Sequence, residues 1–114
     1  MGRPAAIQRK LGRGEICYLG AVLDVRLMRE IVKMLANDAG VEPAPIPVPS
    51  DVEVCRRVGP GHEVFVLINH GETLSSVRLP ESMTDVLKGG DVREVAIPPK
   101  GVVVLTRPLL GIGK

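Results

Sequence analysis

Aromatic residues are almost missing from this chain: one Tyr (Tyr18), one Phe (Phe65) and no Trp in 114 residues. Single-stranded nucleic acid is gripped by stacking bases on rings, and two rings make no platform for it. The same shortage argues against a sugar-binding surface, because sugar faces also pack on aromatic side chains. Cysteine is scarce too. Cys17 and Cys55 stand far apart, which gives neither a disulfide framework nor zinc-ligand spacing; each reads as a small apolar residue. No apolar run approaches the roughly 18–20 residues of a membrane helix. Met1-Gly2-Arg3-Pro4 leads into no apolar stretch, so no signal peptide is expected. These absences point to a cytoplasmic protein with no membrane partner. Net charge is only +2 and the basic residues are scattered, with pairs at Arg9-Lys10 and Arg56-Arg57, which excludes the dense basic stripe of a nucleic-acid binder.

What the chain has in quantity is aliphatic. Apolar residues make up 45 % of it, so the core is built from Val, Leu and Ile. The length is that of one domain, or of one domain and an appendage.

Residues 5–11 and 15–19 read as the strands of a hairpin turning at Gly12-Arg13-Gly14. Asp24 is placed as a helix N-cap. Leu27, Met28, Ile31, Met34 and Leu35 then recur at spacings of three and four, one face of a helix over about residues 25–39, with Val25 and Val32 widening the stripe. Gly40 supplies the left-handed residue that closes a helix. The stripe reads first as packing and, where it is not covered, as an interface. Glu42 to Pro49 carries proline at every second position, an extended semi-rigid linker. A domain boundary is expected within 42–50.

From Ser50 the period becomes two. Strands are expected at 52–58, 62–68, 77–79, 85–87, 95–97 and 102–105, with turns at Gly59-Pro60-Gly61-His62, Asn69-His70-Gly71, Gly89-Gly90 and Pro98-Pro99-Lys100-Gly101. Six short strands punctuated in this way indicate an antiparallel sandwich. The continuous run Val64-Phe65-Val66-Leu67-Ile68 suggests a central strand covered on both faces. The expected layout is a hairpin and helix in 1–41, a linker in 42–50, a β domain in 51–107 and a frayed or partner-bound tail in 108–114. The fold class is mainly β: an antiparallel β-sandwich preceded by a β-hairpin and one α-helix.

Chemistry is hard to place on this pattern. Glycosidic hydrolysis uses two carboxylates about 5–10 Å apart. Glu53 and Glu63 would face each other across the 52–58/62–68 hairpin, but links to Arg56 or Arg57 explain them more simply. His62 and His70 lie in turns without the convergent partners that a metal or catalytic role needs; His70 reads as capping a turn with Asn69, whose short amide tolerates a left-handed φ. Ser75-Ser76 lacks the context of a nucleophile elbow. No catalytic, cofactor-binding or metal residue is assigned, and no cofactor is expected.

Several segments, read in order, resemble a known family. Leu11-Gly12-Arg13-Gly14, Tyr18-Leu19-Gly20 and a helix ending Ala39-Gly40-Val41 resemble the last hairpin and helix of the trimerisation domain in family-42 β-galactosidases. Val52-Glu53-Val54-Cys55-Arg56-Arg57 resembles the strand that opens that family's C-terminal domain. Phe65-Val66-Leu67-Ile68-Asn69-His70, Asp85-Val86-Leu87-Lys88-Gly89 and Pro98 to Leu105 are similar to its later elements. The resemblance runs from about residue 5 to 106. In that family the catalytic glutamates belong to a (β/α)₈ barrel that has no counterpart here, so no catalytic residue carries over. The resemblance implies a non-catalytic structural and assembly module of a β-galactosidase-like glycoside hydrolase. A stand-alone carbohydrate-binding or protein-interaction sandwich and a small independent enzyme are the competing readings. The apolar stripe of Leu27, Met28, Ile31, Met34 and Leu35 is expected to serve as an interface, in a homo-oligomer (dimer or trimer) or against a catalytic-barrel subunit.

Overall fold

A computed structural model describes residues 5–109. The chain divides into two compact units between Glu42 and Pro43.

The first unit is the hairpin and the helix. Strands β1 (Ala6–Leu11) and β2 (Gly14–Leu19) pair antiparallel, closing at Leu11–Gly14. Gly12 takes the first turn position with a φ of 61°, the conformation a two-residue hairpin turn asks of a residue without Cβ. Helix α1 (Val25–Asp38) starts as the sequence predicts, with Leu27 N donating to Asp24 Oδ1 at 2.8 Å. It closes through Gly40: Gly40 N donates to Asn37 O and Val41 N to Ala36 O, the paired bonds of a Schellman motif. Every described residue of this unit is at least partly exposed.

The second unit holds β3 (Val52–Gly59), β4 (His62–Asn69), β5 (Ser75–Asp85), β6 (Asp91–Ile97) and β7 (Val102–Pro108), in the order β3-β4-β7-β5-β6. β5 and β7 share only the rungs Thr84–Thr106 and Asp85–Leu105. The sheet folds over at that seam, so β3-β4-β7 faces β5-β6. Phe65, Leu67, Val103 and Leu105 from one half meet Val77, Leu79, Met83, Val95 and Ile97 from the other in one aliphatic core. This is the antiparallel sandwich expected from the period-two pattern.

Three expectations change. Among the described residues the unit has five strands, not six. Asp85 ends β5, and Val86-Leu87-Lys88 form a turn because the Asp85 carboxylate accepts from Leu87 N and Lys88 N at 3.0 and 2.9 Å; the local side-chain acceptor wins over strand extension. β5 itself runs far beyond 77–79. Its pairing with β6 breaks between Arg78 and Met83, where Pro80 has no N–H for the ladder. The run in β4 is not covered equally on both faces: Phe65 and Leu67 are fully buried, while Val64, Val66 and Ile68 are half-buried on the opposite face.

The third change concerns the proline segment. It is more than a spacer, because Ile46 is 2 % exposed and sits in the core with Val48 packed beside it. Proline at alternate positions holds the chain extended, so Ala44, Ile46 and Val48 turn one way and the exposed prolines the other. Ile46→Val is expected to cost about 1 kcal/mol, whereas Pro47→Ala, at an exposed position, stays within about 0.5 kcal/mol. Chemical denaturation of the two variants checks this; equal effects would return the segment to a linker. The tail expected at 108–114, frayed or partner-bound, lies outside the described residues from position 110 on, while its first residue, Pro108, ends β7. Leu109 N donates to Gly61 O at 2.9 Å.

Candidate functional site

The two carboxylates considered for catalysis are separated by the sheet itself. Register alternates the faces of β3 and β4: Val54–Leu67 and Arg56–Phe65 lie on the core side, while Glu53–Ile68 and Cys55–Val66 lie on the outer side. Glu63 lies on the inner side and Glu53 on the outer, so they do not form a pair across the hairpin. The geometry replaces that expectation with two unrelated clusters.

The inner cluster is an ion network. Glu63 is 3 % exposed. Arg56 Nε donates to Glu63 Oε1 at 2.6 Å and Arg107 Nε to Glu63 Oε2 at 2.8 Å. Arg107 Nη1 reaches Glu81 Oε1 at 2.8 Å, and its guanidinium carbon stands 5.3 Å from the centre of the Phe65 ring. Burial pushes the Glu63 carboxyl up, and this is the largest single influence. The hydrogen bonds and charges of Arg107 and Arg56 together exceed it, so the group lies below the usual glutamate value of 4.5. A glycosidic general acid needs a raised pKa, and Glu63 is held ionised. The link to Arg56 is the one read from the sequence; Arg107 and Glu81 are not legible there, since they join only when β5 and β7 close the fold.

The outer cluster is exposed. His70 Nε2 lies 2.8 Å from Glu53 Oε1, and Cys55 Sγ donates to Glu53 Oε2 at 3.3 Å. The bonds to His70, then Cys55, hold the Glu53 carboxyl low; the same contact, with burial, pushes the Cys55 thiol up. A raised thiol pKa leaves less thiolate, which is the reactive form. The carboxylate stands between thiol and imidazole, and among the described residues no group of three or more His, Cys, Asp or Glu converges as metal ligands do. His70 does not cap its turn by its ring. Asn69 does so without a left-handed φ: fully buried, its amide nitrogen reaches the carbonyls of Thr73, Ile97 and Pro98, and its oxygen accepts from Gly71 N.

The third feature is the helix face. At about 100° per residue, Met34, Leu27, Ile31, Leu35, Met28, Val32 and Val25 follow one another around half of the circumference. One flank turns to the hairpin: Ile31 and Met34 line a gap with Ala6, Ile7, Cys17 and Leu19. Ile31 and Leu35 are half-buried, while Leu27, Met28 and Met34 stay exposed. The other flank is an open groove lined by Leu23, Val25, Met28, Val32 and Ala36, edged by Arg29 and Lys33. Leu23 escapes the sequence reading because it lies before the cap, outside the helical period. The hairpin leaves Ile7, Ile16 and Tyr18 exposed as well. Of the two aromatics, Phe65 is buried in the core and only Tyr18 reaches solvent. No helix among the described residues is long and apolar enough to cross a membrane.

Comparison with known proteins gives these features a context. The model of the β-galactosidase C-terminal domain matches residues 51–107. A β-galactosidase of Alicyclobacillus acidocaldarius is 33 % identical over 94 % of this chain, and one of Planococcus sp. strain L4 is 28 % identical over 93 %. Among solved structures, the β-galactosidase of Bacillus circulans sp. alkalophilus superposes with a TM-score of 0.78 at 27 % identity, over 93 % of this chain. That of Rahnella sp. R3 gives 0.77 at 25 %, over 95 %. In each case this chain spans 16 % of the relative's length. With half its residues inside the family model and its sandwich shared with these structures, the chain belongs to the β-galactosidase C-terminal domain family of family-42 glycoside hydrolases.

Proposed function

We propose that this chain is a non-catalytic structural and assembly module of a β-galactosidase-like glycoside hydrolase, working in the cytoplasm. The observation that carries this reading is the hairpin-helix unit, which buries none of its described residues and opens an apolar groove along α1. A unit of about 40 residues without a covered core needs a partner to be stable. A contiguous apolar patch edged by cations is the usual mark of an interaction surface. The relatives are about six times longer than this chain, and residues 51–107 match the model of the β-galactosidase C-terminal domain. The face therefore suits the remainder of such an enzyme, a catalytic-barrel subunit first, with a dimer or trimer of this chain as the form it takes alone. The two cysteines are both free thiols, which agrees with a reducing compartment.

The reading as a separate enzyme loses its support with the carboxylates: Glu53 and Glu63 lie on opposite faces, and Glu63 is fixed by two arginines. The purified chain is expected to give no turnover of a chromogenic galactoside; hydrolysis abolished by changing Glu53 or Glu63 would overturn the non-catalytic reading. For assembly, light scattering at micromolar concentration is expected to show a mass above the monomer that falls when Val32→Glu or Met28→Glu puts a charge in the groove. A monomer mass unchanged by either substitution would defeat it.

A further inference from the structure

β3 is an edge strand. In the order β3-β4-β7-β5-β6 no strand among the described residues pairs with its far side. The ladder shows which residues face that side. His70 N donates to Asp51 O at 2.8 Å, which makes Asp51–His70 a hydrogen-bonded pair. Alternation then gives Glu53–Ile68, Cys55–Val66 and Arg57–Val64 the bonds to β4. Val54, Arg56 and Val58 direct their N–H and C=O groups outward, and among the described residues none of the three has a backbone partner there.

The sequence of this edge is symmetric about Cys55. Glu53 stands two residues before it and Arg57 two after; Val52 stands three before and Val58 three after. From this we infer that β3 pairs edge to edge with β3 of a second copy, antiparallel, about a two-fold axis at Cys55. In that register Val54 and Arg56 exchange backbone bonds with Arg56 and Val54 of the copy. Glu53 meets Arg57 twice, on the outer face, and Val52 meets Val58. The odd-numbered residues form the non-hydrogen-bonded pairs, in which side chains stand closest, so the two Cys55 side chains adjoin.

Charge selects both the occupant and the register. Charged residues on an edge ordinarily repel another strand; here the order of signs makes the edge complementary to itself, as a two-fold contact requires. Arg57 makes no ion pair among the described residues, and half of the Glu53 side chain is exposed. Moving the axis to Arg56 sets that arginine against its own copy. Moving it to Val54 drops Val58 from the ladder and places Glu53 against Cys55. Only the axis at Cys55 uses the strand from Val52 to Val58 and joins opposite charges. The contact involves no residue of the hairpin-helix unit, so it goes beyond the assembly reading above and stands or falls separately.

The test uses the full chain carrying Cys17→Ser, so that Cys55 is the one thiol. Treatment with diamide takes two protons and two electrons from two Cys55 thiols; the S–S bond forms and diamide is reduced to its hydrazine. A covalent dimer is expected, absent when Cys55 is also Ser. In sedimentation without oxidant, Glu53→Arg and Arg57→Glu are each expected to raise the dimer dissociation constant by about tenfold, since each turns two attractive cross-strand pairs repulsive. The double variant E53R/R57E restores the opposite pairing, and association should return to within about threefold of the parent. Unchanged melting temperatures show that the variants fold. Absence of the Cys55-linked dimer, association indifferent to the single substitutions, or a double variant as weak as the singles would each overturn the inference. Association through α1 alone gives the second of these results and leaves the assembly reading intact.

Discussion

Replacing Glu63 with Ala is expected to lower the stability of the second unit by about 3 kcal/mol. Three cationic or aromatic contacts depend on that carboxylate. Arg107, 13 % exposed at its side chain, keeps only Glu81 as an ionic partner among the described residues, and Glu81 is itself 43 % exposed. Arg56 is half-exposed and recovers part of its loss from solvent. The cost therefore falls mainly on Arg107, whose guanidinium stays close over Phe65 with one carboxylate fewer, and on the space vacated inside the sheet end. Glu63→Gln keeps the volume and removes the charge. Its NH₂ group then faces one of two guanidinium donors, so about 2 kcal/mol is expected to remain. If both variants unfold at the parent's denaturant midpoint, the network contributes nothing net.

The same group sets an acid limb. The Glu63 carboxyl is held below 4.5 in the folded chain, while in the unfolded chain it titrates near that ordinary value. Between the two, the unfolded state binds more protons, so stability rises with pH there. The contribution is complete above the unfolded value and is lost as pH falls through the folded one. The parent should lose stability on acidification below about pH 4.5, and Glu63→Gln should lose less over the same interval. Parallel acid limbs for the two proteins, followed by denaturant titration at several pH values, would show that Glu63 is not the group responsible. Glu53 is also held low, by His70 first, but it is exposed and adds little that solvent does not already supply.

Local devices are legible in the sequence and long-range ones are not. The Asp24 cap, the Gly40 closure and the Gly12 turn each depend on residues within a few positions, and the period-two pattern exposes inward faces directly. Ile46 escapes notice because its proline neighbours signal an extended chain, and an extended chain reads as a linker until something is found to cover it. The 85–87 segment reads as a strand because Val86 and Leu87 are good strand formers; the competing acceptor on Asp85 carries no periodicity. Arg107 and Glu81 belong to β7 and β5, and only closure of the sheet brings them to Glu63. The edge position of β3 is likewise a property of strand order. Its symmetric charges are visible in the sequence, but their meaning depends on having no neighbour.

Asn69→Ala is expected to cost about 3 kcal/mol, and Asn69→Asp more at neutral pH. The amide ties the end of β4 to the turn after β6, across the two halves of the sandwich. Its NH₂ lies 2.8 Å from Thr73 O, 2.9 Å from Ile97 O and 3.2 Å from Pro98 O, and its oxygen 2.9 Å from Gly71 N. Alanine leaves the buried Ile97 carbonyl without that donor and opens a void where the side chain was fully enclosed. Aspartate fills the void but turns an oxygen toward three carbonyl oxygens, and at neutral pH it does so with a charge. Both effects raise its folded pKa above the unfolded value near 3.9. The sign is then opposite to that of Glu63. The folded state binds the extra proton, so the Asn69→Asp variant gains stability as pH falls from neutral toward about 5, where a protonated carboxyl again donates to one carbonyl. The parent should stay level over that interval, since its own depressed carboxylates titrate lower. Melting temperatures of the parent and of both variants at pH 7.5 and about 5 decide it: the gap between Asn69→Asp and parent should narrow on acidification while the gap between Asn69→Ala and parent holds. A constant gap for Asn69→Asp would mean that the introduced carboxylate has turned out to solvent, and that Asn69 serves as a spacer rather than as the donor that joins the two halves.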